Sequence, residues 1–221
     1  MNEHLQLALH EVEEAFALLP REYELRKAEA EAAVDKWSYS TSRRFDARPY
    51  YFDRHGSTPG RTCRQVASTK NRGTAEGFDH EGRLLVERQY NEISFYQSFS
   101  RWSEECVEIA HFHHWDNKPI NLLRLVYAHG RPAECHFAAT AGGSVEQYVW
   151  DRDLLSSAKV YYTPRIAGML GHLVLHHTDE LTYGTHGKIQ RAEVLWPETD
   201  TRSTHRELVY ERRGDRIWRR R

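Results

Sequence analysis

The stretch Phe78-Asp79-His80-Glu81-Gly82-Arg83-Leu84 decides how this chain reads. An aromatic residue closes one β-prone run. Asp and Gly supply turn chemistry, and Arg-Leu opens the next run, Leu85-Val86-Glu87-Arg88-Gln89-Tyr90. Turn residues between two such runs signal a hairpin. The spacing recurs in Phe52-Asp53-Arg54-His55-Gly56, Tyr183-Gly184-Thr185-His186-Gly187 and Tyr210-Glu211-Arg212-Arg213-Gly214, and one residue shorter in Tyr127-Ala128-His129-Gly130-Arg131. The glycines stand at 56, 82, 130, 187 and 214, with gaps of 26, 48, 57 and 27, close to one, two, two and one units of about 26. A fixed period in this range marks a repeat architecture; the alternative is an ordinary antiparallel sheet whose hairpins share turn residues. Trp115-Asp116-Asn117-Lys118 and Trp150-Asp151-Arg152-Asp153 are weaker copies without the Gly.

Outward from that turn the pattern has a period of two. Strands are expected near 84–90, 93–101, 106–114, 122–127, 133–138, 144–150, 158–163, 171–177, 181–183, 188–196, 205–210 and 216–219. In the third, Cys106, Glu108, Ala110, Phe112 and His114 face one way, and Val107, Ile109, His111 and His113 the other. Short strands with short connections argue for an antiparallel meander. Residues 57–77 hold Pro59, Gly60, Gly73 and Gly77 around one short strand near 63–68 and are expected to form a loop. Gly142-Gly143-Ser144 reads as a turn, since the Walker spacing is absent.

Only residues 2–36 are strongly helical. Leu5, Leu9, Val12, Phe16 and Leu19 recur at helical spacing. Pro20 is expected to end a first helix or to sit in the first turn of a second. The fold class is therefore mainly β (α+β): an N-terminal helical segment, 1–36, followed by an extended antiparallel β-meander of repeated hairpins, 37–221. The sheet is expected to be exposed on at least one face, with the helix capping its open end or offered to a partner.

Composition narrows function. The chain has 221 residues, 31 basic against 32 acidic groups, and only 39% hydrophobic residues. Balanced charge gives little general attraction to nucleic acid, although Arg43, Arg44 and Arg48 lie among Trp37, Tyr39, Phe45, Tyr50 and Tyr51. Long side chains lying across aromatic rings give the same mixture. Cys63, Cys106 and Cys135 have no metal-ligand spacing and read as free thiols of a reducing compartment. No apolar run approaches a membrane span, and the start is not a signal peptide, so a cytoplasmic location is expected.

The turns resemble the YD repeats of RHS-type proteins, whose unit centres on Tyr-Asp-x-x-Gly-Arg-Leu. Phe78 to Leu84 fits that motif with Phe for Tyr, and Phe52-Asp53 with Gly56 fits its first half. The sequences around Gly187 and Gly214 lack the Asp. The chain is far too short to form the shell that such repeats build. Small proteins of related hairpins resemble immunity proteins encoded beside polymorphic toxins. The resemblance implies an antitoxin that binds and neutralises a cognate bacterial toxin, without catalysis or cofactor. Tyr90, Tyr96, Trp102, Trp115, Tyr148, Trp150 and Tyr161 would supply the aromatic contacts typical of interfaces. Acidic residues Glu11, Glu13, Glu14, Glu22, Glu24, Glu29 and Glu31 would steer a basic partner.

The alternative is a small β-barrel-like enzyme or ligand-binding protein with a His-lined pocket. His111 and His113 share a strand face and, with His136 or Asp116, could hold a metal. A second cluster is His172, His176, His177, Asp179 and Glu180; His172 and His176 share a face on a strand. No nucleophile elbow is present. Asp179-Glu180 and Glu104-Glu105 are read as solvated turn carboxylates without an acid–base role.

Overall fold

Leu5, Leu9, Val12, Phe16, Leu19, Tyr23, Arg26 and Ala30 alternate in steps of four and three, and all are buried along one helix, α1 (Glu3–Ala32). A computed structural model describes residues 3–113, 115–166, 168–184, 187–198, 204–213 and 216–219. Pro20 lies inside α1 and does not end it. Its ring removes one intrahelical hydrogen bond, a cost of about 3 kcal/mol. The apolar seam, however, runs on through Leu19 and Tyr23, and burying it against the sheet outweighs the loss.

The strands follow as β1 (Lys36–Ser40), β2 (Thr62–Cys63), β3 (Thr74–Phe78), β4 (Leu84–Tyr90), β5 (Phe95–Trp102), β6 (Cys106–His113), β7 (Pro119–Ala128) and β8 (Arg131–Ala139). They continue as β9 (Gly142–Asp151), β10 (Leu154–Ile166), β11 (Met169–Leu170), β12 (Val174–Tyr183), β13 (Ile189–Trp196), β14 (His205–Arg213) and β15 (Arg216–Arg219). All pairings are antiparallel. From β3 onward neighbours pair in chain order. β1 sits between β3 and the edge strand β2, β11 pairs only with β10, and the sheet is not closed. The mainly β meander behind one helix is therefore the architecture of this chain.

The founding turn shows why its residues are needed. Asp79 accepts hydrogen bonds from the backbone N–H of Glu81 (3.0 Å) and of Arg83 (2.8 Å), and Arg83 Nε donates to its second oxygen at 2.7 Å. Gly82 has φ of +79°, which a side chain would strain. Gly130 and Gly187 share the left-handed conformation in later hairpins, while Gly214 and Thr185-His186 lie outside the described residues. The Phe52–Gly56 copy is not a hairpin. Tyr51–Arg54 forms one helical turn, α2, and Gly56 follows it.

Three other expectations change. The strand expected near 63–68 shrinks to β2, and the runs at 171–177 and 181–183 join as β12. Gly142 and Gly143 do not form a turn but open β9, paired with Ala139 and Ala138. A Cβ on Gly143 would fall 2.6 Å from Leu9 Cδ1, so glycine here lets α1 approach the sheet.

The central strands are covered on both faces, contrary to the expected exposed face. On one face α1 packs on Val86, Phe99, Ala110, Phe112, Leu122, Ala138 and Val145. Ion pairs fasten it there: Glu13 to Arg165 at 2.6 Å, Glu29 to Arg101 at 2.7 Å, and Glu31 to Arg88. Several acidic residues of the expected steering patch thus hold the helix down. The other face carries Val107, Leu123, Leu125, Cys135, Tyr148, Leu155, Ala158, Leu181, Ile189 and Ala192. Across it runs a strap, residues 41–58, that includes α2.

The strap dictates curvature. It leaves β1 at Ser40 and reaches β14, where a Cβ on Gly56 would lie 2.9 Å from Val209 Cγ1. Eleven strand steps separate β1 from β14, which in a flat sheet is about 53 Å. Sixteen residues span at most about 55 Å when fully extended, and this segment contains a helical turn. The sheet must therefore curl around the strap.

Candidate functional site

Cross-strand register builds a polar row on the strap face. Glu76 of β3 opposes Glu87 of β4, which opposes Ser98 of β5, then His111 of β6, then Asn121 of β7. Period-two alternation turns all five side chains the same way. The strap supplies the cations above them. Arg44 Nη2 lies 2.8 Å from Glu76, and Arg43 Nε lies 3.5 Å from Glu87. Asp46 joins Arg43 (3.0 Å) to Arg48 (3.0 Å). Arg48 approaches Glu146 at 3.6 Å, and Arg54 clamps Glu146 at 2.6 Å and Asp179 at 2.7 Å. Asp179 also meets His177 at 3.3 Å. The ionic chain runs unbroken from Glu87 to β12.

Between this strap and the row lies a cavity of about 220 Å3, lined by Arg43, Asp46, Arg48, Gln89, Ser98 and His111, with Asn121 and the apolar Ile109, Leu123 and Phe137 as floor. Ser98 Oγ and His111 Nδ1 are 2.6 Å apart and share a hydrogen bond. Burial, helped by the charges of Arg43 and His113, pushes His111 down to about 4, so its ring is neutral at pH 7. Burial raises Glu87 and Glu76 above the usual carboxylate range, against the pull of Arg43 and Arg44. For Asp46 burial also acts upward, but the hydrogen bonds and charge of Arg48, with Arg43, outweigh it and hold the carboxyl low. Glu87 Oε2 and Glu76 Oε1 are buried without a hydrogen-bond partner among the described residues, a cost of about 1–3 kcal/mol each unless something donates to them. Ser98 stands between Glu87 and His111. A nucleophilic triad needs the imidazole in the middle, so the row does not have the order of an acyl-transfer site.

Sequence candidates meet this site in part. Tyr96 packs against His111 (5.9 Å) and His113 (5.1 Å), and Trp115, 60% exposed, stacks on His113 at 5.4 Å. Trp102 packs against both cores and donates its indole N–H to the Leu84 carbonyl at 2.8 Å. Tyr148 is buried and donates to Glu146 at 3.0 Å, while Trp150 packs beside it and donates to the Pro132 carbonyl at 2.7 Å. Tyr161 packs on the helix-face core, and Tyr90 lies against Phe95 at 5.1 Å. The seven aromatics are thus distributed over both faces.

The trio His111, His113 and His136 does not converge. His136 lies on the helix face, 2.9 Å from Glu134, because it alternates with Cys135 and Phe137 of the strap-face core. Asp116 is taken by Lys118 at 2.9 Å, and among the described residues no three His, Cys, Asp or Glu side chains gather as a metal site. His114 lies outside the described residues. Asp179 is a further correction. It is not a solvated turn carboxylate but sits in β12 at 3% exposure, paired to Arg54.

What sequence reasoning missed is the strap. Arg43, Asp46, Arg48 and Arg54 lie in a stretch without periodicity, and their partners are up to 125 residues away. The one local signal was Arg beside aromatics, realised as Arg48 lying 4.0 Å over the Tyr51 ring. No described helix is long and apolar enough to cross a membrane. Comparison with known proteins finds no matching family, no matching curated protein and no matching solved structure.

Proposed function

We propose that this protein binds a small polar molecule in the cavity between the strap and the polar row. The observation that carries the reading is a cavity whose walls gather the charged and polar groups of Arg43, Asp46, Arg48, Gln89, Ser98 and Asn121 over an apolar floor. At about 220 Å3 the space lies just below the usual range of ligand pockets, about 300–1,000 Å3. It suits a molecule of amino-acid or monosaccharide size. Arg43, Arg48 and Asn121 offer donors, and Asp46 and Gln89 offer acceptors.

Native mass spectrometry of gently purified protein, followed by thermal shift with a panel of polar metabolites, tests this. A ligand present at about one hundred times its Kd adds about 2.7 kcal/mol of stability. The response should vanish in Ser98→Leu and Asn121→Leu, which fill the cavity. A response that survives both changes, or a panel and cell extract that yield no bound molecule, sinks the reading.

A protein partner, such as the toxin implied by the hairpin turns, is the second reading. It is supported by the exposed apolar side chains Ile166, Met169, Val174 and Leu175 around the ends of β10 to β12. Co-expression with neighbouring gene products and pull-down checks it; failure to retain any of them would count against it.

A further inference from the structure

β12 carries a bulge. Val160 pairs with His177, but Tyr161 pairs with Leu175, so His176 is the extra residue. A bulge breaks the strict alternation of a strand and re-aims a side chain. Here two adjacent imidazoles come together, with Nδ1 of His176 2.7 Å from Nδ1 of His177. Trp196 packs on both rings at 5.1 and 5.2 Å, and His205 stacks behind Trp196 at 6.0 Å. His176 is exposed and His177 half-buried, so the pair is walled on one side and open on the other.

Behind the pair is an orienting carboxylate. His177 Nε2 lies 3.3 Å from Asp179 Oδ1, and Asp179 is itself locked by Arg54 at 2.7 Å. An imidazole that donates Nε2–H to a carboxylate is fixed in the tautomer whose Nδ1 lone pair is bare. That is the arrangement in which metal-binding histidines are held. The bare Nδ1 of His177 points at Nδ1 of His176, and what now joins them is one shared proton.

We propose that His176 and His177 bind one divalent transition-metal ion through their Nδ1 atoms, the ion replacing that proton. Metal–imidazole bonds are about 2.0–2.1 Å, which places two nitrogens about 2.9 Å apart at a right angle and about 3.4 Å apart at a tetrahedral one. The observed 2.7 Å is set by the shared proton, and either separation is reached by moving the exposed His176 ring by less than about 1 Å. Among divalent ions copper(II) binds such nitrogen sites most tightly. Because no three His, Cys, Asp or Glu groups converge among the described residues, solvent or an outside ligand completes the coordination. His172, expected to share this face, is an exposed residue before β12 and takes no part in the pair.

Isothermal titration of the untagged full chain with copper(II), and in parallel with zinc(II), at neutral pH tests the site. We expect one ion per chain at this site, with copper the tighter. His176→Gln and His177→Gln should each weaken it by at least about tenfold, whereas His172→Gln should leave it unchanged. Electron paramagnetic resonance of the copper form should show nitrogen coupling that disappears in the double variant. Since His176 is exposed, its substitution does not threaten folding, and circular dichroism checks this. Binding of neither metal, or binding and spectrum unaltered in the double variant, overturns the proposal.

Discussion

A single imidazole sets much of the expected acid response. His111 is held at about 4 by burial, then by the charges of Arg43 and His113, whereas an unfolded histidine titrates near 6.5. Between those values the unfolded chain takes the proton and the folded chain does not. Stability therefore falls as pH drops from about 6.5 to about 4, by up to about 3 kcal/mol from this group. Urea midpoints at several pH values should show a slope across that window that His111→Gln reduces. An unchanged slope would mean that His111 is not the group responsible. His55 and His176, also lowered by burial, leave a residual slope of the same sign. Asp46 and Asp179 act lower down. Their carboxyls are held below the ordinary range, so their contribution is present above an unfolded value of about 3.9 and is lost as pH falls through the folded values.

At the scale of the element, α1 and β9 fit only because of one missing side chain. A Cβ on Gly143 would meet Leu9 Cδ1 at 2.6 Å and the Phe137 carbonyl at 3.1 Å. The backbone oxygen cannot yield as a side chain can. Gly143→Ala should therefore destabilise by about 1–3 kcal/mol, as overpacking does, with α1 pushed off the sheet. Chemical denaturation measures this, and a neutral change would show that the helix has room to move. Across most of β4 to β10 the strands were legible because alternation and turn residues agree. The joined β12 was not, because Asp179-Glu180 read locally as turn residues, whereas Asp179 sits in mid-strand through its ion pair with the distant Arg54. Pro20 misled for a different reason. Local propensity pointed to a break, but the four-and-three spacing continues through Tyr23, Arg26 and Ala30, where tertiary burial decides.

At the scale of the whole molecule the strap and the curled sheet stabilise each other. Arg54 is 2% exposed and neutralises Glu146 on β9 and Asp179 on β12. Removing one partner of such a buried group leaves uncompensated charge. Arg54→Met should cost about 3–5 kcal/mol, read as a lower urea midpoint. Because the strap roofs the cavity, ligand response should weaken with it. A variant of unchanged stability would show that the ionic chain does not hold the strap down. Cover on the opposite face is equally required. Without residues 1–33, Phe99, Phe112, Leu122 and their neighbours would form an exposed apolar patch of the kind that drives association.

The sequence by itself determined most strands from β4 to β10, their antiparallel meander and the hairpin turns at Gly82, Gly130 and Gly187, because these depend on neighbours within a few residues. It also determined which side chains of β6 share a face, since alternation is a local rule. Only the tertiary structure decided which of those faces meet the helix, which meet the strap, and how far the sheet curls. The same holds for the site. His111 was legible as a candidate, but its partners Arg43, Asp46 and Arg48 belong to an aperiodic segment placed by long-range ion pairs, and no spacing along the chain encodes such contacts.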